Sequence, residues 1–125
     1  PEWAIAIDIT AANDTEEDAQ NITLALGKGP TLTVMDAEFI ANKCLNDAIE
    51  KISVKKKIPV QKDVSDGGTT DALNISLSKG GVPTTVMGVC VRNLHSTISI
   101  AHKKDIEGLI NILEELLRSP PKICI

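Results

Sequence analysis

The hydrophobic pattern begins with an extended apolar segment at residues 4–10. Side chains on both faces of this segment are apolar until Asp8, which predicts a central strand buried on both sides in a parallel or mixed sheet. Similar β-rich runs predict further strands at residues 31–35, 58–61, 83–89 and 97–101. Because proline cannot donate a hydrogen bond to a strand ladder, Pro59 predicts that the 58–61 strand lies at a sheet edge.

Apolar residues with helical spacing occupy the intervals between these strands. They recur three and four positions apart over residues 39–52, which predicts an amphipathic helix of about four turns with Asp36 as its N-cap. A short helix is predicted at 72–79, and the final one, at 103–118, ends before Pro120. Strands that alternate with helices predict an α/β fold in which helices cover both faces of a layered sheet.

Composition limits the classes of protein to which the chain can belong. It has 125 residues, 42% of them apolar, and a formal net charge of −4. No uninterrupted apolar run reaches the roughly 18–20 residues of a membrane helix, so no membrane partner is expected. The acidic balance argues against binding to nucleic acid, which depends on neutralising phosphates. Only 2% of the residues are aromatic, so the core must be aliphatic.

Three cysteines, Cys44, Cys90 and Cys124, have no C-x-x-C spacing. A zinc knuckle and a thioredoxin-like redox motif are therefore both unsupported. We expect all three thiols to be structural, with Cys44 on the apolar stripe of a helix. This usage of cysteine predicts a cytoplasmic location.

Two residues stand out as candidates for chemistry. Asp8 is a carboxylate in an otherwise apolar strand, close to the strand end where open α/β sheets place their ligands. It could bind a metal or act in catalysis, or it could accept hydrogen bonds from nearby amides. His95 lies in a polar loop after the 83–89 strand, which could bring it to the same sheet edge as Asp8. It could be a metal ligand or a structural hydrogen-bonding group.

A glycine-rich turn and an arginine are weaker candidates. The turn at 67–72 could present backbone amides to an anion or a developing oxyanion, or Thr70 or Asp71 could simply cap the helix that follows. Arg92 could bind a carboxylate beside a cleft, or it could form a salt bridge at the rim. His102, next to two lysines, is expected at the surface.

These segments together resemble the C-terminal part of the tetrahedral (TET-type) metalloaminopeptidases. This is the glutamyl/deblocking aminopeptidase family, some members of which are catalogued as endoglucanases. The resemblance covers nearly the whole chain and rests on short stretches that occur in the family's order: residues 4–10 with Asp14, 26–30, 35–36, 68–72, 81–84 and 92–96.

The resemblance implies a three-layer αβα zinc-peptidase-like fold and a two-metal hydrolase that acts on peptides. Two divalent ions, zinc or cobalt, would activate a shared water, and Asp8 and His95 would each ligate one of them. A cation would then offset the cost of burying Asp8. The substrate side would be lined by Gly68, Thr69, Thr70, Asp71 and Arg92. Relatives assemble into tetrahedral dodecamers, so a homo-oligomer is expected.

The resemblance also implies that residues 1–125 form only the C-terminal portion of a catalytic domain. In the family, a first histidine, a bridging aspartate, a Glu-Glu pair that includes the general base, and an inserted dimerisation domain precede the strand that matches Asp8. We therefore expect this chain alone to be inactive. Asn93, Ser99 and residues 15–17 depart from the family pattern, which affects the expected substrate rim more than the ligands.

Two other functions remain open on the sequence alone. The chain could be a non-catalytic assembly or regulatory subunit of the same fold, although retention of both Asp8 and His95 counts against this. It could also be an endoglucanase, but the scarcity of aromatic platforms for a sugar makes that alternative weak.

Overall fold

The computed structural model describes residues 1–15, 17 and 20–122. The strands are β1 (Ala4–Ala11), β2 (Thr31–Met35), β3 (Gln61–Val64), β4 (Thr84–Arg92) and β5 (Ile100–Ala101). The helices are α1 (Lys43–Lys56), α2 (Ala72–Leu77), which continues into a 3₁₀ turn (Ser78–Gly80), and α3 (Lys103–Arg118). None of the described helices is long and apolar enough to cross a membrane.

The strands form one mixed sheet in the order β1-β4-β2-β3. β1 runs parallel to β4, and β2 runs parallel to β3. β2 and β5 are both antiparallel to β4, and they pair with different parts of it. β3 lies at one edge of the sheet, as Pro59 predicts, although it begins at Gln61, two residues beyond the proline.

Helices cover both faces of this sheet, which confirms the predicted α/β class. On one face, α1 and α3 pack over β2 and β4 around a core of Leu32, Ile49, Met87, Val89, Val91, Leu109, Ile112 and Leu116. On the other face, α2 and the segment before α1 supply a smaller cluster, made of Ala6, Phe39, Ala41, Ala72 and Val86. Successive β4 residues point to opposite faces, so β4 contributes to both clusters.

The central strand of the described chain is β4 rather than β1. β4 is buried from Thr84 to Val91, whereas Ile7 and Ile9 of β1 are 64% and 47% exposed. The prediction that β1 is buried on both sides is therefore wrong for the described residues. The reason is that β1 pairs with β4 only, which leaves its other edge without a neighbouring strand in this part of the chain.

The first long helix begins later than its apolar spacing predicts. Asn42 is the N-cap of α1, and its side chain accepts a hydrogen bond from the Leu45 amide at 3.0 Å. Asp36 instead closes a tight bend, because its Oδ1 accepts from the amides of Glu38 and Phe39. The bend returns the chain to the end of β2, where Phe39 can enter the smaller core cluster.

A buried carboxylate joins the loop before β2 to α3. Asp105 is fully buried and accepts from the amides of Gly27 at 2.7 Å and Gly29 at 2.8 Å. Gly29 has φ +104°, and a Cβ there would lie 1.9 Å from the Pro59 carbonyl oxygen. The loop can therefore close only with glycine at this position, and it sets where β2 enters the sheet.

The described cysteines have structural positions. Cys90 is fully buried in β4, and burial raises the pKa of its thiol. Cys44 is half-buried on α1. The prediction for Cys124 falls outside the described residues.

Candidate functional site

A cleft of about 240 Å³ opens between the end of β1, the strands β2 and β3, and two loops, one at residues 65–70 and the other after β4. Its lining includes three aspartates and several hydroxyl side chains, together with apolar residues and glycines. The residues that form it are Asp8, Ile9, Thr10, Ala11, Thr31, Thr33, Asp36, Asp63, Ser65, Gly67, Gly68, Thr69, Thr70, Val86, Gly88, Leu94 and His95.

The strand pairing of β1 with β4 places Asp8 in this cleft. Asp8 stands opposite Gly88 in the parallel register, and a Cβ on Gly88 would lie 1.8 Å from the Asp8 carbonyl oxygen. Glycine at this position therefore allows the two backbones to approach. The Asp8 side chain is exposed, and its Oδ1 accepts from the Ile9 amide at 2.8 Å. The expected burial of this carboxylate is therefore not found in the described chain.

His95 reaches the cleft on the loop between β4 and β5. It is exposed and has φ 60°, and Asn93 in the same loop has φ 59°. Left-handed backbone of this kind costs a non-glycine residue energy, and it concentrates at functional sites. The Asn93 carbonyl oxygen accepts from the hydroxyls of Ser96 at 2.6 Å and Ser99 at 3.0 Å, which holds the strained loop in place.

The glycine-rich turn forms another wall of the cleft. Gly68, Thr69 and Thr70 line it, and Gly68 has φ +77°. The Gly68 carbonyl oxygen accepts from the Ala37 amide, which ties the turn to the bend after β2. The Thr70 hydroxyl accepts from the Ala72 amide at 3.3 Å and thereby helps to cap α2. Asp71 is exposed, makes no side-chain capping bond and does not line the cleft.

Arg92 lies outside the cleft lining and is held by a carboxylate. Its Nε donates to Asp14 Oδ1 at 2.8 Å, and its Nη2 donates to Asp14 Oδ2 at 3.0 Å. Asp14 also accepts from the Leu26 amide, and the guanidinium of Arg92 lowers the pKa of the Asp14 carboxyl. Of the two roles considered for Arg92, the structure therefore shows the salt bridge. This ion pair anchors the base of the loop that carries His95. His102 is half-buried and caps α3, accepting from the Lys104 amide.

Two acidic residues of the cleft were not among the sequence candidates. Asp36 is 7% exposed, and its Oδ2 is buried with no hydrogen-bond partner among the described residues. Asp63 is half-buried; burial raises the pKa of its carboxyl, a hydrogen bond with Thr10 lowers it, and the nearby charge of Asp36 raises it. No pattern in the sequence singled out Asp63, because three of the four residues of β3 are polar.

The cleft contains two side chains of the types that bind metals. Asp8 and His95 offer a carboxylate oxygen and an imidazole nitrogen, both of which are common ligands of zinc. Within the ranges that the structure describes, no group of three or more His, Cys, Asp or Glu side chains could hold a metal ion. The two side chains suit a metal by their chemical type, and a site there would need further ligands.

The described residues thus combine a mixed sheet, helices on both of its faces, and a cleft lined by Asp8 and His95. The M42 glutamyl aminopeptidase family matches residues 1–112. The chain therefore belongs to this family, which confirms the resemblance.

Individual relatives support the same assignment. The lysyl aminopeptidase of Pyrococcus furiosus is 34% identical over 118 residues, covering 94% of this chain and 33% of that protein. A TET aminopeptidase from a marine sediment archaeon, Thaumarchaeota archaeon SCGC AB-539-E09, superposes with a TM-score of 0.89 and 28% identity. The match covers 96% of this chain and 34% of that one.

A further solved structure shows the same fold at comparable identity. The TET1 peptidase of Pyrococcus horikoshii, described as assembling into a tetrahedron or a large octahedral shell, gives a TM-score of 0.71 at 30% identity. The match covers 90% of this chain and 33% of that one. This chain thus spans about a third of the length of the relatives that it matches.

Proposed function

We propose that this chain is the C-terminal portion of the catalytic domain of a metal-dependent aminopeptidase, to which it contributes Asp8 and His95 as metal ligands. One observation carries the proposal. Two side chains of the types that bind divalent metals, far apart in the sequence, line the same cleft in a member of an aminopeptidase family.

The residues of this chain have distinct roles in the proposed site. Asp8 and His95 bind metal, and the 67–70 turn forms the substrate side, where Gly68 permits close approach of a peptide backbone. Zinc or cobalt bound there would polarise the scissile carbonyl and lower the pKa of a bound water. Arg92 acts through the loop, since its ion pair with Asp14 holds the strand from which His95 extends.

The exposed edge of β1 supports the proposed domain organisation. Among the described strands only β4 pairs with β1, and two large apolar side chains of β1, Ile7 and Ile9, are exposed. We assign the remaining strands of the catalytic domain to that edge, together with the other ligands, the general base and the dimerisation domain. These would lie in the two thirds of the relatives' length that the chain does not match.

The proposal includes a homo-oligomeric assembly in the cytoplasm. A homo-oligomer is proposed because the Pyrococcus horikoshii peptidase is described as assembling into a tetrahedron or a large octahedral shell. It is also supported by an exposed apolar stripe on α3, where Ile106, Ile110 and Leu117 are 42%, 57% and 69% exposed. The cytoplasmic location is proposed because Cys90 is a free cysteine, and free thiols are typical of reducing compartments.

The two alternative functions have less support. A non-catalytic assembly subunit would have no use for a pair of metal-binding side chains on one cleft wall. An endoglucanase would need aromatic side chains on which a sugar could stack, and no Phe, Tyr or Trp is among the described cleft-lining residues.

The proposal is tested by Asp8→Ala and His95→Ala in the complete enzyme. We expect each variant to lose bound metal and to hydrolyse a leucyl anilide at least about 100-fold more slowly, since even changes next to metal ligands cost 10–100-fold. Asp66→Ala is the matched control, because Asp66 is exposed near the cleft without lining it. Metal content is measured by elemental analysis of the purified protein.

Two results would contradict the proposal. Unchanged metal content and activity in both variants would favour the assembly subunit. Hydrolysis of the anilide by residues 1–125 alone, with zinc or cobalt present, would refute the assignment of the remaining catalytic groups to other segments.

A further inference from the structure

The β2–β3 wall of the cleft carries negative charge that nothing in the proposed metal site uses. Asp36 and Asp63 both line the cleft, and the charge of Asp36 is close enough to raise the pKa of the Asp63 carboxyl. Within the described part of the chain, no lysine or arginine lines the same cleft. The wall therefore holds two neighbouring carboxylates without a cation.

Asp36 shows that this charge is not neutralised within the described residues. Its Oδ1 accepts two backbone amides, but Oδ2 is buried and has no hydrogen-bond partner there, although the residue is only 7% exposed. An unpaired carboxylate oxygen in such a place is unfavourable, so it is typical of a site that binds a partner of opposite charge.

The more accessible Asp63 carboxylate is the group that such a partner would contact. Asp63 is half-buried in β3 and lines the cleft together with Thr10 of β1. An ammonium or guanidinium group needs only one or two carboxylates.

We propose that Asp63, supported by Asp36, binds the positively charged side chain of the substrate's N-terminal residue and so selects peptides that begin with lysine or arginine. The inference rests on the proposed aminopeptidase function and specifies its substrate class. Both lysyl and glutamyl preferences occur among the names of the family and its members, so family membership does not decide between them.

The test compares kcat/KM for lysyl, arginyl, leucyl and glutamyl anilides in the complete, metal-loaded enzyme. We expect the unmodified enzyme to favour the lysyl and arginyl substrates. Asp63→Asn should lower kcat/KM for the lysyl substrate by about 10- to 100-fold, which is the contribution of a hydrogen bond to a charged group. The leucyl substrate, which has no charge to bind, should change by less than about threefold under the same reasoning.

Further variants separate binding from structural damage. Asp63→Lys should reverse the order of the lysyl and glutamyl substrates. Asp36→Asn keeps an oxygen for the two backbone amides and should produce a smaller loss on the lysyl substrate. Asp66→Asn, a nearby exposed acid outside the cleft, should leave all four values unchanged.

The outcomes distinguish this inference from the proposed function. If Asp63→Asn slows lysyl and leucyl substrates equally, or if the unmodified enzyme prefers the leucyl or glutamyl substrate, the inference is overturned and the aminopeptidase function stands. Loss of bound metal in Asp63→Asn would also overturn it, because the wall would then be a metal site. If no anilide is hydrolysed, the proposed function fails and this inference fails with it.

Discussion

The two sides of β4 differ in their surroundings: one faces an aliphatic core, and the other faces β1 and the cleft. On the side covered by α1 and α3, Met87, Ile112 and Leu116 are fully buried in an aliphatic core. On the side toward β1 and the cleft, Gly88 leaves space for the β1 backbone, and the loop after β4 carries two residues with left-handed backbone, Asn93 and His95. The core side is closely packed. The cleft side has left-handed backbone at Asn93 and His95 and, among the described residues, a carboxylate oxygen of Asp36 without a hydrogen-bond partner.

This difference indicates where stability and function are located. Burial of apolar side chains stabilises a fold without regard to what it does. Left-handed backbone at His95 is unfavourable, and so is the Asp36 carboxylate oxygen that has no hydrogen-bond partner among the described residues. Both persist because the surrounding structure holds them. Substitutions in the core should therefore change stability, and substitutions around the cleft should change metal or substrate binding.

The largest effect on stability is expected for Ile112→Ala. Ile112 is fully buried between α3 and the sheet, so truncation leaves a cavity and should lower the free energy of unfolding by about 2–5 kcal/mol. The matched control is Ile110→Ala, on the same helix but 57% exposed, which should cost well under half as much. Denaturant unfolding of the complete enzyme measures both. Equal losses would show that the α3 side of β4 is not the stabilising core.

A smaller effect, of a different kind, is expected at Asn93. Its φ of 59° suits asparagine or glycine, so Asn93→Ala should strain the loop by about 1 kcal/mol. We expect weaker metal binding through the displaced His95, with little change in global unfolding. Asn93→Gly keeps the backbone conformation available and should retain metal affinity. Calorimetric titration of zinc into the metal-free enzyme distinguishes the two variants, and identical affinities would argue that loop strain does not position His95.

The smallest expected effect is the pH dependence of the Arg92–Asp14 pair. Because Arg92 lowers the pKa of Asp14 from its usual 3.8, the folded state holds this proton less tightly than the unfolded state does. The stabilisation is therefore present above the usual pKa of the carboxyl and is lost as the pH falls through its lower folded-state pKa. Asp14→Asn should lower the Tm by about 1–3 °C at pH 7, with a diminishing difference in acid.

Thermal unfolding between pH 7 and pH 3 tests this dependence. The double variant with Arg92→Gln should be no less stable than Asp14→Asn alone, because the pair is already broken. A Tm difference between Asp14→Asn and the unmodified protein that persists unchanged at pH 3 would contradict the expected sign.

Much of the fold could be predicted from the sequence because long periodic segments have few alternatives. The apolar spacing predicts α3 at residues 103–118, and the β-rich run predicts β2 at residues 31–35, as the structure has them. The start of α1 could not be predicted from spacing alone. Asp36 closes a bend there, and tertiary contact of Phe39 with the smaller cluster outweighs the helical pattern.

Only the cleft residues with an unusual sequence context could be identified from the sequence. Asp8 was noticeable as a charge in an apolar strand, and His95 as a histidine in a loop at the same predicted sheet edge. The family resemblance then implied a metal-ligand role for both. Asp36 was interpreted as a helix cap and Asp63 received no role, because their significance depends on proximity between β1, β2 and β3 that no local pattern contains. Whether Asp8 and His95 bind metal remains a prediction.

The sequence by itself determined the α/β class, most of the elements and the family, because hydrophobic periodicity and short motifs are local properties of a chain. The tertiary structure decided that, among the described strands, β4 is central and β1 has a neighbour on one edge only. It also decided that Arg92 binds Asp14 rather than lining the cleft. It also brought Asp36 and Asp63 into one wall. These features arise from strand order and packing between distant segments, so they exist only when the chain is folded.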